Sequence, residues 1–476
     1  VLYMISAKEL SYDRERCYKE FPSLYNKQRK YVVALIIALL AASLVIGWNY
    51  YDIMWWVSWY RIVEKHGPQS IFSIYKLCEA PSCKAPYPPI AVITFVSVYA
   101  LAMLAPYQVR YIILKLVLVV IPAYIIFRII KRYRGSEIAM LWLLSLPFLQ
   151  ILFALQFDVL LALFILLSTI YTWHGEYRKA AISTAIATLI KPVAAVIAPL
   201  HLIFIYKKNG AKKALEYVAI AVAVGMAITA PFLFASGNSF IENVISFHAS
   251  RPPQDASPWA IATFVLESGI NMYNSLLNKL WMIPFLIAYL STFLGLFTIL
   301  KQKPSFSLGF LAVSTSISLI LTITFSKIGN INYVVWFVPT SLMAFGCANL
   351  KKFYIITSLI VLLVSIPMSA IFLYLAPAIS EKPTFIAEDI GYWDARALLM
   401  QSINYYIIYA ISIIQQYSLS PIRILTPSDV LDSIIYMASL ISFKKIILVS
   451  LVIVMQMLLM LLLIIHFRSL YGETLC

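Results

Sequence analysis

Charge is what this sequence has little of. Asp, Glu, Lys and Arg make up 12% of its 476 residues, about half the roughly 25% of an ordinary soluble domain. Hydrophobic residues make up 62%, and the mean hydropathy is +0.86. So few charges cannot cover a large soluble enzyme, and so apolar a chain is neither disordered nor low-complexity. A polytopic membrane protein remains. Cysteine is also scarce: there are five, and only Cys78 and Cys83 sit close together. A Cys-x4-Cys pair has no zinc-finger context. No cleavable signal peptide is expected, because residues 1–30 are polar and basic, with Lys8, Arg14, Arg16, Lys19, Lys27, Arg29 and Lys30. No repeat relates the two halves, which weakens an inverted-repeat transporter.

What is there is apolar runs and a net charge of +16. A bilayer core needs roughly 20 apolar residues per helix. The candidates are 31–50, 111–130, 138–155, 157–173, 178–191, 192–206, 214–236, 281–300, 305–325, 332–349, 353–376 and 446–467. Residues 88–106 are apolar too and are read as lying in, or dipping into, the outer interface. With that choice 22 Lys and Arg face 8 Asp and Glu inside, against 15 and 13 outside. The excess basicity is therefore a positive-inside signal, not a nucleic-acid footprint. The expected fold is an all-α polytopic membrane protein with about twelve transmembrane helices (eleven to thirteen) and interfacial helices in the first outer loop. Both termini are cytoplasmic in this reading. The segments are a basic N-terminal stretch 1–30, a transmembrane module 31–376 with outer loops 51–110 and 237–280, a long outer loop 377–445, and a last helix with a short tail, 446–476.

Long polar loops on one side are where chemistry gathers. Asp52 directly follows the first span. Behind it Ile53–Gly67 is aromatic and amphipathic, with Trp55, Trp56, Trp59 and Tyr60, which predicts an interfacial helix with its rings at headgroup level. Asp52 fits either a capping carboxylate or a catalytic group. Tyr87-Pro88-Pro89 turns the chain back toward the membrane, since proline cannot propagate a helix. Cys78 and Cys83 share this loop, where an extracytoplasmic compartment permits a disulfide. Gln156-Phe157-Asp158 puts an acid near membrane depth, where ionisable groups are costly. Lys191, followed by Pro192, marks a turn between two short apolar helices. An ammonium there wants an anion, a carboxylate such as Asp158 or a phosphate. His248, Arg251 and Trp259 share the second outer loop, and Arg251 suits a bidentate grip on phosphate. Lys327, Asn330, Asn332 and Tyr333 form a donor-rich turn between two spans, which also fits a plain polar hairpin.

Taken in order, these pieces resemble the GT-C class of integral-membrane glycosyltransferases, and most of all the polyprenyl-phosphate-mannose-dependent mannosyltransferases. The likeness covers roughly 31–345 and rests on Asp52, on Tyr87-Pro88-Pro89, on Gln156-Phe157-Asp158, and on Arg178-Lys179 leading to Ile190-Lys191-Pro192. It continues through His248, Arg251 and Trp259 to Tyr333-Val334-Val335-Trp336-Phe337-Val338-Pro339. The resemblance implies transfer of a sugar, mannose by likeness, from a polyprenyl- or dolichyl-phosphate donor to a glycolipid or lipid-linked glycan on the extracytoplasmic face. The acid after the first span, here Asp52, is the family's base. Lys191, His248, Arg251, Lys327, Tyr87, Gln156, Asp158, Asn330 and Tyr333 are the candidates to hold the donor phosphate and substrate. Some relatives carry a paired Asp-x-Asp there and some need a divalent metal; Tyr50-Tyr51-Asp52-Ile53 has one carboxylate, so no metal or other cofactor is expected.

The chemistry agrees. A base must take the acceptor hydroxyl proton, and fixed positive donors must meet the departing phosphate. One base without a second carboxylate nucleophile implies an inverting single displacement. The 88–106 stretch is a candidate to hold the prenyl chain. The competing reading is a transporter or lipid-linked-oligosaccharide flippase, which predicts polar residues spread through the midplane rather than clustered at one face. The loop 377–445 holds Glu381, Glu388, Asp389, Asp394 and Arg396 and an apolar stretch at 403–414, none of it diagnostic.

Overall fold

The computed structural model describes residues 29–47, 50–78, 83–251, 253–261, 280–302, 306–365, 393–394 and 441–475. The N-terminal basic segment up to residue 28, the predicted span 353–376 beyond residue 365, and most of the loop 377–445 lie outside them.

The chain runs as helices in sequence: α1 (Arg29–Val45), α2 (Tyr50–His66), α3 (Pro89–Met103), α4 (Tyr107–Arg134), α5 (Ser136–Leu144), α6 (Leu146–Ala154) and α7 (Asp158–His174). Then come α8 (Tyr177–Ile190), α9 (Ile197–Asn209), α10 (Ala211–Ser236), α11 (Met282–Gln302), α12 (Leu308–Phe325), α13 (Val338–Ala344), α14 (Cys347–Ile360) and α15 (Ile441–Leu475). Strand pairing is confined to dipeptides. Strand β1 (Ile46–Gly47) runs parallel to β4 (Trp393–Asp394), and β2 (Gln254–Asp255) runs parallel to β3 (Ile328–Gly329).

Among the described residues, five helices are long and apolar enough to cross a membrane: α4, α10, α11, α12 and the part of α15 from Val449 to Leu470. Others are shorter or broken. The predicted span 138–155 is two helices, α5 and α6, bent by 50°; Pro147 opens the second, at a position where its missing N–H costs nothing. The predicted span 332–349 is likewise divided into a 3-10 segment (Ile331–Trp336), the seven-residue α13 and the start of α14. The turn at Lys191 forms as expected. Pro192 pushes the residue before it out of the helical region, so Lys191 is extended at φ −144° and ψ 128° and a 3-10 turn, Pro192–Val196, comes next.

Helix α12 is the centre of the molecule, and every residue from Phe310 to Thr324 is buried. Its small hydroxyl residues let neighbours approach closely, as membrane helix packing favours. Thr315 faces His201, whose other ring nitrogen meets Ser168 at 2.9 Å, and Ser168 continues to Thr184 at 2.6 Å. One residue on, Ser316 meets Thr340 and Ser341, and Ser341 reaches His466 on α15 at 2.9 Å. In contrast, few residues of α10 and α11 are buried, as in helices that face lipid.

Helix α2 forms where the aromatic pattern places one, and two of its rings turn into the protein. Trp56 and Trp59 are fully buried, packed against Phe95 of α3 and against Tyr87. Periodicity marks an apolar helix face; it does not say whether lipid headgroups or protein will cover it. Helix α3 supplies that cover, and it is itself a 15-residue helix with one side buried.

Candidate functional site

The site is assembled from segments far apart in the chain. Asp52 sits in the first turn of α2, where the helix dipole favours a carboxylate. Its Oδ2 accepts a 2.6 Å hydrogen bond from Gln156 Nε2. Gln156 is delivered by an unusual turn: α6 ends on Leu155, a buried residue at φ +50°, the only non-glycine with positive φ among the described residues. That conformation costs about 1–3 kcal/mol for a non-glycine residue and persists where the surroundings over-determine it.

Two residues later Asp158 opens α7, fully buried. Its Oδ1 accepts from Lys191 Nζ at 2.7 Å and from Trp336 Nε1 at 2.5 Å, while Oδ2 is buried with no partner among the described residues. Lys191 keeps 12% of its side chain exposed and Asp158 none. The Lys191 ammonium lies 5.2 Å from the Tyr333 ring centre and 5.5 Å from that of Trp336. Those two rings stack at 4.0 Å, because residues three apart eclipse on a 3-10 turn. Cation–π contact of this kind adds to the ion pair.

Tyr87 stands between these groups. Its ring packs on Trp59 and Phe157, and its backbone carbonyl accepts from Tyr75 at 2.7 Å. Burial, reinforced by the nearby carboxylates Asp52 and Asp158, raises the Tyr87 phenol well above the usual tyrosine value; Tyr333 adds to this and Arg251 opposes it. Tyr87 therefore stays protonated and offers an O–H. The loop that carries it is stapled by a disulfide between Cys78 and Cys83, and Trp59 Nε1 donates to Lys84 O at 2.8 Å.

The basic residues from the later loops close around it. His248 Nε2 lies 2.7 Å from Pro86 O. A carbonyl can only accept, so Nε2 carries the proton. Burial first, then the cations Arg251, Lys191 and Lys327, lower the His248 pKa, against a raising contribution from the Pro86 bond. His248 is thus a neutral donor to the Tyr87 turn rather than a cation. Lys327 donates to Ala249 O at 2.6 Å, and burial together with Arg251 lowers its pKa to about 8. Arg251 lies over the Phe247 ring, its guanidinium carbon 5.8 Å from the centre.

The Lys327 turn is pinned tightly. Ser257 Oγ donates to Ser326 O at 2.7 Å, and Trp259 Nε1 donates to Phe325 O at 2.9 Å. A Cβ on Gly329 would lie 2.1 Å from Ser257 N and 2.3 Å from Ala256 C, both backbone atoms. Asn330 spends its side chain on its own turn, accepting from Asn332 N at 3.0 Å, while Asn332 accepts from Gln150 at 2.8 Å. So the sequence candidates meet as two direct pairs, Asp52 with Gln156 and Asp158 with Lys191. Tyr87 lies within electrostatic reach of both acids, and His248, Arg251 and Lys327 lie around it. Trp336, quoted above within the Tyr333–Pro339 motif but given no site role, also joins Asp158. Among the described residues no three His, Cys, Asp or Glu side chains gather to hold a metal.

This constellation spans a segment with a family of its own: the model of glycosyltransferase family 87 matches residues 86–326. The chain belongs to glycosyltransferase family 87. No curated protein matches it. The family segment begins at Pro86, so it encloses Tyr87, Gln156, Asp158, Lys191, His248 and Arg251, and it ends one residue before Lys327. Asp52 lies ahead of it and reaches it through Gln156. As a member of family 87 the protein is a glycosyltransferase of the membrane, acting between a sugar donor and an acceptor.

Proposed function

We propose that this family 87 enzyme moves a hexose, mannose by resemblance, from a polyprenyl- or dolichyl-phosphate donor to a glycolipid or lipid-linked glycan, with inversion and with Asp52 as general base. The reaction faces the extracytoplasmic side of a multi-pass protein of about twelve spans with both termini in the cytoplasm. The observation that carries this reading is the separation of roles between two carboxylates. Asp158 is buried, its charge paired with Lys191 and its Oδ1 also held by a hydrogen bond from the Trp336 indole. Asp52 is only partly buried and accepts from the Gln156 amide, which supports reading it, of the two, as the carboxylate that meets an incoming hydroxyl.

In the reaction Asp52 takes the acceptor hydroxyl proton as that oxygen bonds to the anomeric carbon. The bond from that carbon to the phosphate oxygen breaks, and the lipid phosphate leaves with the electron pair. Arg251 and Lys327 meet that charge, with Lys191 behind them. Tyr87 and neutral His248 shape the cradle between base and cations. The disulfide at Cys78–Cys83 supports the extracytoplasmic side, since disulfides persist in oxidising compartments.

The decisive experiment is Asp52→Asn assayed for transfer from a radiolabelled polyprenyl-phosphate sugar. Transfer falls by about 10²–10⁴-fold, with expression and donor binding retained. Undiminished transfer by the variant removes Asp52 as the base.

A further inference from the structure

Lys115 is a fully buried lysine in the middle of α4. A buried ammonium is expensive, by several kcal/mol, unless it is well coordinated. Its hydrogen bonds go to backbone carbonyls: Ser43 O, Ile46 O at 3.0 Å and Phe153 O at 3.5 Å. Its charge also lies 4.5 Å from the centre of the Tyr111 ring. Ser43 belongs to the last turn of α1, and Phe153 to the last turn of α6. One cation therefore caps the C-terminal ends of two helices, where carbonyls lack partners and the dipoles are negative. The π-helical turn Leu116–Val120 begins at the next residue, and such turns interrupt helices often at functional sites.

Both helix ends lie close in sequence to the candidate site. Six residues after Ile46 comes Asp52, and three residues after Phe153 comes Gln156. These are the two partners of the 2.6 Å hydrogen bond, and the second approaches through the strained turn at Leu155. We propose that Lys115 is a positioning residue for transfer: it ties the two chain segments that carry Asp52 and Gln156 to one point, and so sets the aim of the base. This rests on the reading of Asp52 as the base.

The test measures steady-state transfer by Lys115→Met and Lys115→Gln in the full-length enzyme, beside Asp52→Asn. Misplacing a catalytic group by about 1 Å costs about 10²-fold, so Lys115→Met lowers kcat by roughly 10–100-fold with KM for the donor within about twofold. Lys115→Gln, which keeps two N–H donors, recovers part of that loss. Combined with Gln156→Ala, Lys115→Met costs less than the product of the two single effects, because both act on the same carboxylate. Full kcat in Lys115→Met, or a loss that multiplies with that of Gln156→Ala, overturns the assignment. So does a failure of both Lys115 variants to yield folded enzyme by size exclusion and thermal unfolding, since Lys115 is then a folding residue. Transfer retained by Asp52→Asn removes the base assignment instead, whatever Lys115 does.

Discussion

Asp158 and Lys191 are the clearest case in which one residue's chemistry depends on another's. The pair lies at 2.7 Å with the carboxylate fully buried. Removing one partner leaves the other charge stranded, which costs about 3–5 kcal/mol, whereas removing both together costs much less. Thermal unfolding in detergent will therefore show Asp158→Asn and Lys191→Met each strongly destabilised, and the double variant less so than the two losses summed. Lys327 makes a prediction about pH. Its pKa of about 8 makes it a cation below that pH and a neutral amine above. Donor KM is expected to rise as pH passes 8, and Lys327→Arg, which keeps its charge, to remove that rise. The stability effect has the opposite sign. Between pH 8 and its ordinary value of 10.5, Lys327 binds more protons in the unfolded state, so its contribution favours the fold increasingly as pH rises through that window.

At the scale of elements, the turn after α12 holds Lys327 in place because its backbone touches the loop at 256–257 directly. Gly329→Ala forces a methyl into backbone atoms that cannot swing away. Overpacking of this kind costs about 1–3 kcal/mol, and the shifted turn carries Lys327 with it. Loss of donor binding larger than the fall in unfolding temperature explains is the expected result; full activity in Gly329→Ala refutes the role given to this turn. Elements also mark the limit of what sequence patterns reveal. The helix after Asp52, the break at Pro192 and the turn at Tyr87 obey local rules on aromatics and proline. The bend between α5 and α6 and the division of 332–349 carry such marks too, Pro147 and Pro339 in the first turns of α6 and α13 and Gly346 before α14, but hydropathy averaged over a window cannot distinguish one long span from two short helices folded against a neighbour.

For the whole molecule, sidedness is the open consequence of the charge distribution. Replacing Cys17, Cys347 and Cys476 by serine leaves only the disulfide pair among the five cysteines. In that background Arg61→Cys is expected to react with a membrane-impermeant maleimide in intact cells, and Lys212→Cys only after permeabilisation. The reverse pattern inverts the topology and moves the proposed site to the cytoplasm.

The sequence by itself determined the solvent and the parts list. Few charges against many apolar residues mean a bilayer, and the isolated polar residues between apolar runs are those worth their desolvation cost, among them Asp52, Gln156, Asp158, Lys191, His248, Arg251 and Lys327. Only the tertiary structure decided which of them act on each other. Asp52 and Gln156 are 104 residues apart, and Asp158 and Trp336 are 178 apart. Pairing over such distances depends on where helices end and cross, which no local pattern encodes. It also made Lys115, which stands in no motif, a donor lodged at two helix ends, because unsatisfied carbonyls in a dry interior need a donor wherever packing happens to place one.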